Sequence, residues 1–211
     1  MRVFLVTILL VASALSAPAR AATEQDPALR DTVARVESYL NGISTLKARF
    51  VQVSSDGGFA KGELYIDRPG HLRFDYDPPT PVLLIADGTW LVYYDKELKE
   101  ITHMPLWENQ IWFLVRKRVR LDDGIEILRV ERTDTVVSLT LRQREDPDAG
   151  VIKLIFDREP MALRRWELTD AQGITIQVAL VDTDFGVDLD PKLFDASGLE
   201  ASDDSYRELL R

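Results

Sequence analysis

A period of two dominates this chain. From Leu46 onward apolar and polar residues alternate in short runs: "TLKARFVQV", "FAKGELYID", "LRFDY", "VLLIA", "TWLVYYD" and "LKEITHM". After an interruption come "IEILRVER", "TVVSLTLRQ", "VIKLIFD", "ALRRWELTD" and "ITIQVALVD". Such alternation sends successive side chains to opposite faces of a strand. Turn signals separate the runs: "SSDGG", Arg68-Pro69-Gly70, "DPPTP", Asp87-Gly88, Pro147-Asp148-Ala149-Gly150, Glu159-Pro160 and Gln172-Gly173. Connections this short join antiparallel neighbours, so the sequence predicts a mainly β meander of about ten or eleven strands.

Two segments break the rhythm. In the first, Asp26 is a candidate N-cap, Pro27 suits the first helical position, and Leu29, Val33, Val36 and Leu40 recur at helical spacing before Gly42. The second, "LWENQIWFLVRKR" (106–118), reads as a short helix apolar nearly all round, with Trp107, Ile111, Trp112, Phe113, Leu114 and Val115. Such a helix is buried or meets an apolar partner. "PKLFD" is a last short element, and residues 200–211 read as a loose polar end.

So many twisted strands either split into two stacked layers or curl. Stacked layers would cover their own apolar faces and imply nothing further. A curled sheet leaves a concave face that the two helices would lid. The residues predicted to face inward are Phe50, Leu64, Ile66, Leu72, Phe74, Tyr76, Leu83, Ile85 and Tyr94. Arg68 stands at the corner between two such strands, as either a solvated turn residue or a group that fastens something.

The N-terminus bounds the compartment. Arg2, the apolar run Val3 to Leu15 and Ala19-Arg20-Ala21 have the layout of a secretory signal, with cleavage expected after Ala21. Residues 22–211, about 190 in number, suit one domain. Cysteine is absent, which excludes disulfides, thiolate metal sites and a cysteine nucleophile. Without Arg2 and Arg20 the chain keeps 24 basic against 35 acidic residues, a net charge of −11. That balance disfavours nucleic acid and anionic membrane surfaces and suits a freely diffusing monomer.

The sequence carries no nucleophile elbow, no phosphate loop and no dinucleotide or metalloprotease motif, so we expect no enzyme, cofactor or metal. His71 and His103 read as half-exposed strand residues rather than ligands. Glu63, Asp75, Asp77, Asp95 and Glu100 are the carboxylates that a hydrolase would have to pair across a cleft. "RKRVR" (116–120) either complements a helix C-terminus or forms a patch for an acidic partner.

Three motifs in order resemble a known family. Ala48, Phe50 and Gln52 match an A-x-F-x-Q strand. Gly62, Leu64, Arg68, Pro69, Phe74 and Tyr76 match G-x-L-x-x-x-R-P followed by an aromatic pair. Asp87, Gly88, Leu91, Tyr94, Asp95, Leu98 and Ile101 match a third, with Val92 and Glu100 departing from it. The match covers residues 43–101 and resembles the periplasmic outer-membrane lipoprotein carriers of the LolA family. The resemblance implies an unclosed half β-barrel of about eleven antiparallel strands with an α-helical lid. It implies a cavity for the acyl chains of lipoproteins, walled by the inward residues above and by Trp107, Ile111, Phe113 and Leu114 of the lid. Arg68, beside Pro69, takes the place of the family's lid latch. An inner-membrane ABC transporter would deliver cargo, and an outer-membrane receptor would accept it. A lipid-binding envelope-stress sensor of related fold is the alternative.

Overall fold

The computed structural model of the protein describes residues 27–109 and 111–200. The expected cleavage site, the Asp26 cap and the polar end after residue 200 lie outside them. Helix α1 (Pro27–Asn41) is followed by strands β1 (Thr45–Ser54), β2 (Phe59–Asp67), β3 (His71–Tyr76), β4 (Val82–Asp87), β5 (Trp90–Asp95) and β6 (Glu100–Pro105). A 3-10 turn (Leu106–Glu108) and the one-turn helix α2 (Trp112–Val115) lead to β7 (Ile125–Arg132), β8 (Val136–Gln143), β9 (Val151–Arg158), β10 (Met161–Thr169) and β11 (Thr175–Phe185). A 3-10 turn (Pro191–Phe194) and α3 (Ser197–Glu200) close the described chain.

All eleven strands form one antiparallel sheet in the order β6-β5-β4-β3-β2-β1-β11-β10-β9-β8-β7. Two meanders join at its centre, where Phe50 of β1 lies opposite Leu180 of β11. The outermost strands, β6 and β7, do not pair with each other. The chain between them, residues 106–124, therefore crosses from one edge of the sheet to the other, and we call it the strap.

Irregular registers locally increase bending and twist, and three occur: between Lys47 and Arg49 against β11, between Leu163 and Arg165, and between Ile127 and Arg129. They also explain where alternation lapses. Leu163 and Trp166 are three residues apart, yet both are buried in the same cluster, opposite Phe156 and Leu154.

One face of the sheet carries the main core: Leu46, Ala48 and Phe50, Leu64 and Ile66, Leu72 and Phe74, then Leu139, Leu154, Phe156 and Trp166. Val36 and Leu40 of α1 and the apolar residues of the strap pack into that same cluster. The opposite face carries ion pairs over its central strands: Arg49 pairs with Asp77, and both Arg73 and Lys96 hold Asp75.

Two expectations need correction. The apolar stretch at 106–118 is not one helix. Leu106–Glu108 is a 3-10 turn, the backbone is extended at Asn109 (ψ 139°), only Trp112–Val115 is α-helical, and the backbone turns extended again at Arg116 (ψ 143°). Leu83, Ile85 and Tyr94 do not face the main core. They form a second cluster with Val92, Ala196, Ile101 and Leu199 on the other side of the sheet. Strand β4 is apolar on both faces, so its phase could not be read from the sequence alone. Its register against β3 (Leu72 opposite Ala86, Phe74 opposite Leu84) turns Leu84 and Ala86 inward instead.

Gly62 is fixed by packing. A Cβ there would lie 2.1 Å from the Asp75 carbonyl and 2.8 Å from the Phe50 ring. Gly62→Ala is expected to destabilise the fold by about 1–3 kcal/mol or more through overpacking, read as a lower urea midpoint at unchanged m-value.

Candidate functional site

The concave face is an apolar trough with an aromatic floor. Phe50 sits over Gly62, its opposite residue on β2, and meets Phe74 and Tyr76 edge-on, with ring centroids 5.1 Å away in each case. Phe74 in turn lies 6.4 Å from Trp166. The Tyr76 hydroxyl donates to Gln52 Oε1 at 2.8 Å. Burial pushes its phenol up to about 12, although the bond to Gln52 works the other way. Two motif residues, Gln52 and Tyr76, thus satisfy each other at the trough wall.

The strap covers this floor. Leu106, Ile111, Phe113, Leu114, Val115, Val119 and Leu121 are buried in the same cluster as the floor residues. Of the residues expected in the wall, Phe50, Leu64, Ile66, Leu72, Phe74, Ile111, Phe113 and Leu114 come together here, with Tyr76 packed against them. Trp107 does not: it is 55% exposed, at the outer rim of the strap. Leu64 and Leu72 have no exposed surface, so the trough is closed in this state.

Polar contacts fasten the strap along one side. The Arg68 backbone N–H donates to Ser44 O at 2.9 Å, fixing the residue at the end of β2. Its Nε then donates to Leu114 O at 2.5 Å, and its Nη1 donates to Leu40 O. One guanidinium therefore bridges the C-terminal carbonyls of α1 and those of α2. Two residues on, the Gly70 N–H donates to Val115 O at 2.8 Å. Gly70 adopts φ +88°, and a Cβ there would lie 2.8 Å from the Gly88 Cα, so a side chain would push this amide away. Pro69 between them is exposed and supplies the corner.

Arg68 has no carboxylate partner among the described residues. Burial lowers its guanidinium to about 10, which still leaves it protonated at neutral pH. A buried cation compensated only by neutral carbonyls is costly to desolvate.

A second set of contacts has no signal in the sequence. The Asn41 side chain docks on the strap as a peptide group would: its Nδ2 donates to Val119 O at 2.9 Å, and Val119 N–H donates to its Oδ1 at 2.8 Å. The Leu121 N–H donates to Glu37 Oε1 at 2.6 Å. Asn41 reads in isolation as an ordinary helix-ending residue, and its partner lies 78 positions away.

In the basic run 116–120, Arg116 pairs with Asp123 at 3.0 Å and Arg120 with Asp122 at 2.9 Å around the buried Val119, while Lys117 and Arg118 are exposed. Asp75 is raised by burial but lowered further by hydrogen bonds from Lys96 and Arg73, so its carboxyl stays below the usual range. Asp77 is held low by Arg49. Glu63 accepts from the Tyr65 hydroxyl at 2.6 Å. These carboxylates bind neighbours on the charged face rather than facing one another across a cleft. His71 packs against Phe194, with ring centroids 5.5 Å apart.

Known proteins align with this architecture. The family model described as "Outer membrane lipoprotein carrier protein LolA" matches residues 41–197. An outer-membrane lipoprotein carrier protein of Methylococcus capsulatus is 26% identical over 171 residues, 77% of this chain and 82% of that one. One from Alkalilimnicola ehrlichii is also 26% identical, over 96% of this chain and 95% of its own. A solved putative outer membrane lipoprotein-sorting protein domain from Vibrio parahaemolyticus superposes with a TM-score of 0.50 at 12% identity, covering 80% of this chain and 97% of that domain. The last shares the fold.

Asn41→Ala removes both bonds to Val119. Amide exchange at Val119 and Leu121 is expected to quicken on the order of tenfold, while Leu64 in β2 stays protected. Equal rates in both proteins would show that Asn41 does not hold the strap.

Proposed function

Because the chain belongs to the LolA family of outer membrane lipoprotein carrier proteins, we propose that it is a periplasmic carrier. It is exported by its first 21 residues and binds the acyl chains of lipoproteins in the trough under the strap. It takes them as a monomer from an inner-membrane ABC transporter and yields them to an outer-membrane receptor. The observation that supports this reading most is the Arg68 contact. A protonated guanidinium joins the strap to α1 over an entirely apolar floor, which is the arrangement a releasable cover requires.

The energetics explain why the cover must compete with cargo. Each buried methylene is worth about 0.8 kcal/mol, so one palmitoyl chain represents roughly 12 kcal/mol. A carrier offering an empty greasy cavity would capture most of that and could not release its load. Here the strap's Ile111, Phe113, Leu114 and Val115 already occupy the floor. An incoming chain must displace them and break the bonds of Arg68 and Gly70. The net affinity is the difference between two apolar packings, and the closed state favours release. Hydrophobic contact is non-directional, so such a floor tolerates chains of different length.

Two variants test the assignment. Arg68→Leu leaves the strap unlatched, and the protein is expected to accept lipoprotein but to retain it. Onward transfer at the wild-type rate contradicts the latch. Phe74→Glu places a carboxylate on the floor and is expected to abolish binding of a fluorescent fatty acid; unchanged affinity removes Phe74 from the site. Mass spectrometry of protein isolated from periplasm should find diacylglyceryl lipoproteins bound.

A further inference from the structure

The first helix ends in the dipeptide Asn41-Gly42, and that pair carries a chemistry of its own. The chain holds two asparagines, Asn41 and Asn109, and Asn41 is the one followed by glycine. Glycine has no side chain to shield its own nitrogen and lets the backbone take conformations closed to other residues. That nitrogen can therefore attack the asparagine Cγ. The new N–Cγ bond closes a five-membered succinimide as the Cγ–Nδ2 bond breaks, and the attacking nitrogen's proton leaves with the amide as ammonia. Water then opens the ring to aspartate or, through the other carbonyl, to isoaspartate. Amide and water become acid and ammonia, with no change of oxidation state.

In the closed molecule both reactants are engaged. Asn41 Nδ2 donates to Glu37 O at 2.8 Å and to Val119 O at 2.9 Å, and its Oδ1 accepts from Val119 N–H at 2.8 Å. The Gly42 N–H donates to Ser38 O at 3.0 Å and to Tyr39 O at 3.1 Å. Attack requires the side chain to swing off Val119, and two of its three bonds are to the strap. Asn41 is itself exposed at the helix end, so water and base reach it. We infer that Asn41 is a site of spontaneous deamidation, protected by the closed strap and uncovered when the strap opens.

The product alters the fastening. A carboxylate at position 41 cannot donate to Val119 O. It stands at a helix C-terminus, where negative charge is unfavourable, and four residues after Glu37, a like charge on the same helix face. Glu37 in turn accepts from the Leu121 N–H. Isoaspartate also lengthens the main chain by one carbon, three residues before the Ser44 carbonyl that accepts from the Arg68 N–H. Each event turns a reversible opening into a permanent loosening, and the modified fraction records how long a molecule has spent open.

The test uses the full chain, incubated at neutral pH and digested for mass spectrometry of the peptide holding Asn41, with the Asn109 peptide as internal control. Glu37→Ala frees the Leu121 N–H while leaving the Glu37 carbonyl and the helix in place, and Arg68→Leu removes the guanidinium bonds to Leu114 O and Leu40 O. In both variants deamidation at Asn41 is expected to quicken on the order of tenfold, in step with local opening, and in urea to be faster still. Gly42→Ala should suppress it: Gly42 is not in the left-handed region, and a Cβ there would lie 3.3 Å from Tyr39 O, a tight contact without overlap. The isolated deamidated protein should exchange its Val119 and Leu121 amides faster than the unmodified chain. Rates in both variants equal to wild type overturn protection by the strap. An Asn41 peptide that stays unmodified even in urea overturns the site, and a deamidated protein with Val119 as protected as before overturns the loosening.

Discussion

An open sheet with one apolar face must cover that face with something outside the sheet, and the rest of this molecule follows from that constraint. Eleven strands leave β6 and β7 unpaired to each other. The chain that links these two edges crosses the concave side and supplies the cover. Because the strap is a connection rather than a twelfth strand, no ladder of backbone bonds fixes it to the sheet edges. The described residues hold it by apolar packing, by bonds with Arg68, Gly70, Asn41 and Glu37, and at its two ends by the Leu106 N–H on Thr89 O and the Arg144 N–H on Gly124 O.

The placement of those bonds matters more than their number. Arg68 donates to carbonyls at the ends of α1 and α2, Leu40 O and Leu114 O, which lie in the last turns that helices leave short of backbone donors. The same guanidinium carries a part-buried charge with no carboxylate partner among the described residues, so the closed state includes a desolvation cost along with its bonds. The strap side chains are interchangeable in kind with a hydrocarbon chain. Under the proposed function, cargo and cover compete for one surface, and the balance between them is adjusted by a small polar set at one rim.

Much of the architecture was legible because the strand rhythm is strong and the turns are short. About ten or eleven strands and the inward set Phe50, Leu64, Ile66, Leu72 and Phe74 follow from alternation, and the first helix follows from the helical spacing of Leu29, Val33, Val36 and Leu40. The phase of β4 did not, because Val82 to Ala86 is apolar throughout and only the pairing with β3 decides between its faces. That ambiguity carried Leu83 and Ile85 to the wrong side, and Tyr94, opposite Leu83 on β5, went with them. The second helix was overextended for a related reason: apolar residues on every side of 106–118 signal burial, yet do not say whether the backbone stays helical while achieving it. Arg68 stood out through a family resemblance, whereas Asn41 and Glu37 were invisible, since a polar residue at a helix end acquires its meaning from a partner distant in sequence.

The central claim is that acyl chains and the strap exclude each other from the trough. Hydrogen exchange at the Gly70 amide, which donates to Val115 O in the closed state, reads this directly. On saturation with palmitic acid the account predicts faster exchange at Gly70 while the Leu64 amide in β2 remains protected. A fully bound fatty acid with Gly70 as protected as in the free protein would contradict it.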